Sequence, residues 1–136
     1  LRLPLYDGDL EADGLPVAVQ TLANQITIAD AVVIATPEYN KALSGVLKNA
    51  LDWVSRTDGK PWADKPVAIM SAAAGRAGGE RSQFSLRLCM APFGARVLTG
   101  PEVLVAASHS AFDEDGRLID ERYAKALDGL VGQLGL

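Results

Sequence analysis

The stretch Thr36–Arg56, TPEYNKALSGVLKNALDWVSR, decides the fold of this chain. Just before it lies a short apolar run, Ala31-Val32-Val33-Ile34-Ala35, with the length and composition of a parallel-sheet strand buried on both faces. After it, Leu43, Val46, Leu47, Ala50, Leu51 and Val54 recur at the spacing of one helical face. Pro37-Glu38-Tyr39-Asn40 is the exposed turn between them. Strand, turn and helix in that order put the turn at the strand's carboxyl end, the edge of an open α/β sheet where ligands bind. The turn holds the parts needed to grip a flat polar ring. Tyr39 offers a planar face, and Asn40 both donates and accepts hydrogen bonds. Glu38 is expected to contribute its backbone N–H in preference to its carboxylate, which is expected to be solvated.

A second segment has the same geometric address. Lys65-Pro66 leads into Val67-Ala68-Ile69-Met70, another short buried strand, and the loop Ser71–Gly79 (SAAAGRAGG) follows. Gly75, Gly78 and Gly79 permit positive φ or close backbone approach. The GxGxxG spacing of a dinucleotide fingerprint is missing. Two ligand-edge loops on neighbouring strands carry more weight than either alone, and Ser71, Gly75, Gly78 and Gly79 join Pro37–Asn40 as candidate cofactor-binding residues.

The remaining segments supply the frame. Leu1–Tyr6 alternates as the end of a strand that Pro4 stops, and Asp7-Gly8-Asp9 forms a turn or loop. Leu15, Val19, Leu22 and Ile26 mark a helix that begins near Pro16, with Asn24, Gln25 and Thr27 on its polar side. Asp52 and Arg56, at i and i+4, predict a surface ion pair, and Trp53 is expected to pack against a loop or a neighbouring subunit. Glu80-Arg81-Ser82-Gln83-Phe84 opens a further helix with Phe84, Leu88 and Phe93 inward, ended by Pro92 and Gly94. Val97-Leu98 and Val103-Leu104-Val105 form the last strand, bent at Gly100-Pro101. Tyr123, Leu127, Leu130 and Leu134 then mark a helix that closes the second face.

Composition narrows the function classes. The 136 residues are 49% apolar and 22% charged, which fits one globular domain and excludes a disordered chain. A net charge of −4 without a basic stripe argues against nucleic-acid binding. Cys89 is the only cysteine, so no internal disulfide forms and a reducing, cytoplasmic setting is expected. No apolar run approaches the ~20 residues that span a bilayer. No metal-ligand cluster appears, and the two aspartates around Gly8 lack EF-hand spacing. His109, the only histidine, has no GxSxG nucleophile elbow to serve and is expected to be structural or exposed.

PEYN followed by Gly45 and LKNALDW, with LPLYDGD at Leu3–Asp9 and the glycine loop Ser71–Gly79, resembles the NAD(P)H-dependent FMN reductase family, which includes quinone and chromate reductases. In order and spacing the resemblance covers almost the whole chain. It implies a flavodoxin-like three-layer α/β/α sandwich with a parallel sheet, and FMN as cofactor with NADPH or NADH as co-substrate. Hydride passes to flavin N5 and on to a quinone, azo, nitro or metal-oxyanion acceptor, with no protein residue acting as acid or base. It further implies a homodimer or homotetramer with the flavin near the interface, Arg81 and Glu102 as intersubunit charges, Tyr6 beside the site, and Arg56 as a minor contact to a phosphate or oxyanion substrate. The family usually has proline at the position of Ser44, and either residue begins a helix. It also opens with a strand and a Gly-Ser-x-Arg-x-x-Ser-x-Asn type loop that holds the FMN phosphate at a helix N-terminus. No stretch here matches that loop. The chain is accordingly expected to be the body of a longer protein, single-domain over 1–136, without the first strand–helix unit and most of the next strand, roughly 30–50 residues. Two alternatives bear on this: an electron carrier of flavodoxin type, which the reductase-like signature argues against, and a non-catalytic, oligomerising binding module.

Overall fold

The computed structural model describes residues 1–135. The elements follow in the order α1 (Gly8–Ala12), α2 (Val17–Ile28), β1 (Val32–Ala35), α3 (Gly45–Val54), β2 (Pro66–Ala72), α4 (Glu80–Met90), β3 (Arg96–Val97), β4 (Val103–Val105) and α5 (Glu121–Gly132). All strand pairs are parallel and β2 is central. On one side β1 runs along it from Val32↔Val67 to Ala35↔Met70. On the other side β3 pairs with its first half and β4 with its second. β3 and β4 are two halves of one edge strand, interrupted where the cis peptide Gly100-Pro101 lies, as the sequence predicts.

The sheet separates two cores. Ile26 of α2, Leu47, Leu51 and Val54 of α3, and Leu86 and Met90 of α4 pack with Ile34, Val67 and Ile69 on one face. Leu130 of α5 and Leu134 pack with Ala68, Val103 and Val105 on the other. This is the expected three-layer α/β/α sandwich.

Five local expectations are revised. β1 is not buried on both faces: Ile34 is enclosed, but Val33 is 48% exposed and Ala35 is also exposed. Val33 is in register with Ala68, so its side chain lies on the α5 face. The α5 layer covers β2 and β4, and Val33 lines an open hollow together with Leu1. Leu1–Tyr6 is not a strand; it is held to α3 by side chains, with Asn49 bonded to the N–H of Tyr6 and the carbonyl of Pro4 (2.9 and 2.8 Å) and the Trp53 indole N–H also donating to Pro4 (2.8 Å). Asp7 accepts from the Asp9 N–H and so caps a short helix where a turn is predicted. On α4 the buried residues are Ser82, Gln83, Leu86 and Met90, whereas Phe84 (55% exposed) and Leu88 (77%) face outward. Finally, Asp52 pairs with Lys48 (2.7 Å) and Arg56 with Glu11 (2.8 Å), not with each other.

Candidate active site

The loop after β1 is held at three points. Thr36 is buried and its N–H donates to the Met70 carbonyl (3.1 Å), continuing the ladder. Tyr39 and Ala42 exchange both backbone hydrogen bonds (2.9 and 3.0 Å) around Asn40 and Lys41, with φ of 47° and 69°. Two successive left-handed residues make a type I′ turn. Asn tolerates this conformation, and Lys41 adopts it at a cost of about 1 kcal/mol. The N–H of Leu43 then donates to Ser85 Oγ on α4 (2.7 Å). Ser44 follows in extended conformation as the residue before α3, with no side-chain cap bond. The turn leaves Tyr39 66% exposed, its ring free to lie against a flat partner.

Glu38 joins this loop to the next one. Its carboxylate accepts the backbone N–H of Arg81 (3.2 Å) in the first turn of α4 and faces the Arg81 guanidinium at 3.5 Å. An anion there complements the positive end of the helix dipole. The carboxylate is thus engaged and not solvated, and Arg81 is paired within its own chain. The Glu38 N–H remains free for a ligand.

The loop Ser71–Gly79 is built around a buried polar knot. Ser71 Oγ donates to the Gly78 carbonyl (2.7 Å) and accepts from Gln83 Nε2 (2.9 Å), which also donates to the Val103 carbonyl (2.9 Å). Ser82 Oγ donates to the Gly79 carbonyl (2.6 Å). A Cβ on Gly78 (φ +60°) would stand 2.4 Å from the Leu104 carbonyl group, and one on Gly79 (φ +88°) 2.8 Å from the Ser71 side chain. These glycines let the loop close on β4 and β2. Gly75 differs, since nothing lies within 4 Å of where its Cβ would be.

Glu38, the segment Ala73–Arg81 and open space between them enclose a cleft of about 750 Å³. Across the first loop, Pro37, Tyr39 and Ser44 line a second hollow of about 620 Å³, floored by Val33 and Ala35. Among the described residues, the backbone N–H groups of Glu38, Asn40, Ala74, Gly75, Arg76 and Ala77 find no protein acceptor. Clustered donors of this kind suit a ligand edge rich in acceptors. The carbonyl- and nitrogen-bearing edge of an isoalloxazine is such an edge, so the residues present fit a flavin ring.

The predicted site residues therefore separate. Pro37 and Tyr39 line one hollow and Glu38, Gly75, Gly78 and Gly79 the other, the last two with little exposed surface, while Ser71 is a buried support and Asn40 is exposed on the turn outside both. Tyr6 and Arg56 sit at the other end of α3. There the Tyr6 hydroxyl donates to Glu11 (2.6 Å), Arg56 donates to the same carboxylate (2.8 Å), and the Tyr6 ring meets Trp53 edge-on at 5.0 Å. The hydrogen bond from Tyr6, then that from Arg56, lowers the Glu11 pKa, and the same carboxylate raises that of Tyr6. Sequence reasoning missed Glu11, Gln83 and the Glu38–Arg81 link. Gln83 carried one readable signal, an amide beside Ser82 on what proves the buried side of α4. No group of residues suited to hold a metal ion occurs among the described residues.

Comparison with known proteins places these features in context. The sequence pattern of the NADPH-dependent FMN reductase family matches residues 1–110. An NAD(P)H-dependent FMN reductase of Pseudomonas aeruginosa is 46% identical over 120 residues, covering 88% of this chain and 65% of that protein. A quinone reductase of Escherichia coli is 43% identical over 134 residues, 97% of this chain and 70% of that protein. This chain thus spans about two thirds of the length of these relatives. Among solved structures, the flavoenzyme NAD(P)H:(acceptor) oxidoreductase FerB of Paracoccus denitrificans superposes with a TM-score of 0.85 at 36% identity, over 98% of this chain and 73% of that one.

Proposed function

The chain belongs to the NADPH-dependent FMN reductase family, and from that premise we propose that the protein is an FMN-dependent NAD(P)H oxidoreductase that passes electrons to a small-molecule acceptor, a quinone foremost. The observation that carries this reading is the pairing of two carboxyl-edge loops, linked by Glu38 and Arg81, that leave unpaired backbone donors around one cleft and an exposed Tyr39 on the hollow beside it. Bound FMN supplies the redox chemistry, accepting hydride from the nicotinamide and returning two electrons to the acceptor. The protein's own part is to hold the ring. The N–H groups of Glu38 and Asn40 and of the 74–77 segment donate to its edge, and Tyr39 lies against it. The Glu38 carboxylate is committed to α4, and hydride transfer through the flavin requires no side chain to act as acid or base.

The same reading includes self-association. The outward Phe84 and Leu88 of α4, with Tyr39 exposed on the adjoining loop, form an apolar surface of the sort that marks a protein interface. A homodimer or homotetramer covering it would bring a second copy close to the flavin loop. A cytoplasmic setting, where reduced nicotinamides are supplied, completes the reading; no helix among the described residues is long and apolar enough to cross a membrane.

The test is a visible absorption spectrum of the full-length protein after FMN addition and desalting, then anaerobic NADPH, then a quinone. A retained flavin band that bleaches and recovers is the expected result. A protein that emerges colourless would overturn the flavoenzyme reading.

A further inference from the structure

Most charges on the two carboxyl-edge loops have a partner or a helix end to answer. Glu38 pairs with Arg81, and Glu80 opens α4, where a carboxylate suits the positive end of the helix. Arg76 has neither. It lines the cleft at the crest of the glycine loop, it is exposed, and among the described residues its guanidinium belongs to no ion pair. The crest that carries it is braced from behind: the carbonyls of Ala73 and Gly75 accept from the N–H groups of Ser108 (3.0 Å) and Ala107 (3.4 Å), in the loop after β4. A guanidinium with a fixed base and a free, planar fork is a ready partner for an anion that offers two oxygens.

The charge around it points the same way. The chain has a net charge of −4, yet segments 36–45 and 71–81 hold Lys41, Arg76 and Arg81 against Glu38 and Glu80. With Glu38 and Arg81 paired, Arg76 and Lys41 leave this edge locally positive. Lys41 stands exposed at φ 69° in the second central position of its turn, where glycine is favoured, so a cation is held there in spite of the strain. A positive rim on an acidic protein concentrates anions at that rim. A planar acceptor must lie against the flavin to be reduced, which brings a charged group on its own edge beside the cleft wall. The phosphates of a dinucleotide trail away from the nicotinamide.

We propose that Arg76 is a specificity-determining residue of the electron-transfer site, and that the favoured acceptors are planar aromatic compounds, quinones foremost, carrying a carboxylate or sulfonate that its guanidinium binds. This rests on the reading of the cleft as the flavin site. Arg76 takes no part in the electron transfer itself; it sets which acceptor is held.

The experiment uses the full-length, FMN-loaded protein at saturating NADPH, with 1,4-naphthoquinone-2-sulfonate and with menadione, which has a neutral methyl at the same position. The parent is compared with Arg76→Gln, Arg76→Lys and Lys125→Gln, the last removing an exposed cation from α5. Each variant is set against the parent on the same acceptor, so the different potentials of the two quinones cancel. Arg76→Gln is expected to raise KM for the sulfonate by about tenfold or more, the size of a lost charge-assisted hydrogen bond, with kcat and the menadione KM little changed. Arg76→Lys should restore part of the loss, and Lys125→Gln should leave both acceptors alone. Without turnover, calorimetric titration of the oxidised protein with naphthalene-2-sulfonate, against the neutral naphthalene-2-sulfonamide, should show the same loss in Arg76→Gln for the sulfonate only. Unchanged KM values, equal losses on both quinones, a like loss in Lys125→Gln, a rise in the NADPH KM in its place, or loss of the flavin band from Arg76→Gln would each overturn the proposal and leave the flavoenzyme reading standing. A colourless parent would sink that reading, and this proposal with it.

Discussion

Two loops leave this sheet at the same edge, one strand apart, and they are built in opposite ways. The loop Ser71–Gly79 is anchored inward at its base: Ser71 and Ser82 are buried and tie its glycine carbonyls to β2 and α4, and the buried Gln83 joins Ser71 to the Val103 carbonyl of β4. The loop after β1 spends its groups outward, with left-handed residues at Asn40 and Lys41 and an exposed Tyr39. A glycine loop anchored at its base beside a strained, exposed turn is an economical way to hold a flat ligand, since strain persists only where neighbouring structure over-determines it. The Glu38–Arg81 contact supplies that restraint.

Changes to the base of the glycine loop should have the largest effects. Gly78→Ala puts a methyl 2.4 Å from the Leu104 carbonyl at a positive φ, where neither backbone has a flexible side chain to yield. A loss of about 3 kcal/mol follows from overpacking with backbone strain, a fall in melting temperature on the order of 10 °C. A melt within about 2 °C of the parent would show that the base is not rigid. Ser71→Ala comes next. It strands the Gly78 carbonyl and half of the Gln83 amide in a buried site, for about 1–3 kcal/mol. Combined with Gln83→Leu, it should cost less than the sum of the two single changes, because the knot is lost only once.

Much of this contrast was legible beforehand. Strand–turn–helix order placed both loops correctly, because a continuous apolar run and a 3.6-residue period are backbone-scale signals. What the residues did not disclose is which glycines pack tightly against the protein and which stand clear of it. Gly75, Gly78 and Gly79 are identical as letters, and only the approach of Leu104 and Ser71 separates them. Phe84 and Leu88 misled for a related reason. They have helical spacing, but the buried side of α4 carries Ser82, whose hydroxyl bonds the Gly79 carbonyl, and Gln83, whose polarity is met by Ser71 and Val103 at a distance in sequence. Arg56 likewise found Glu11, 45 residues away, instead of Asp52, since a short-range pairing rule cannot see an arm folded back across α3.

That arm offers a control from outside the comparison. Glu11 has a lowered pKa because Tyr6 and Arg56 donate to it. Its ionised form is therefore favoured by folding, a contribution that is complete above the unfolded value of 4.5 and lost as pH falls through the lowered folded one. Acidification below about 4.5 should release Tyr6 from Trp53, read as a change in tryptophan fluorescence, and Tyr6→Phe should shift that transition upward by removing the foremost cause of the depression. A transition at the same pH in both proteins would mean that Arg56 alone holds Glu11.

The smallest expected change in stability makes the sharpest test of the crest of the glycine loop. Gly75 has no atom within 4 Å of its would-be Cβ and is absent from the residues with positive φ, so alanine fits the folded backbone. Restricting the unfolded chain should then leave stability unchanged or raise it by up to about 1 kcal/mol. If the flavin edge meets the backbone between Ala74 and Ala77, however, that methyl stands where the ring would lie. FMN affinity should then fall about tenfold, near 1.4 kcal/mol, measured by fluorescence titration with Gly75→Ala. The crest and the base of the glycine loop would thus answer the same substitution in opposite currencies, Gly75 in affinity and Gly78 in stability. Unchanged FMN affinity in a stably folded Gly75→Ala protein would remove the 74–77 donors from the binding surface and leave the ring to the Glu38–Asn40 turn alone.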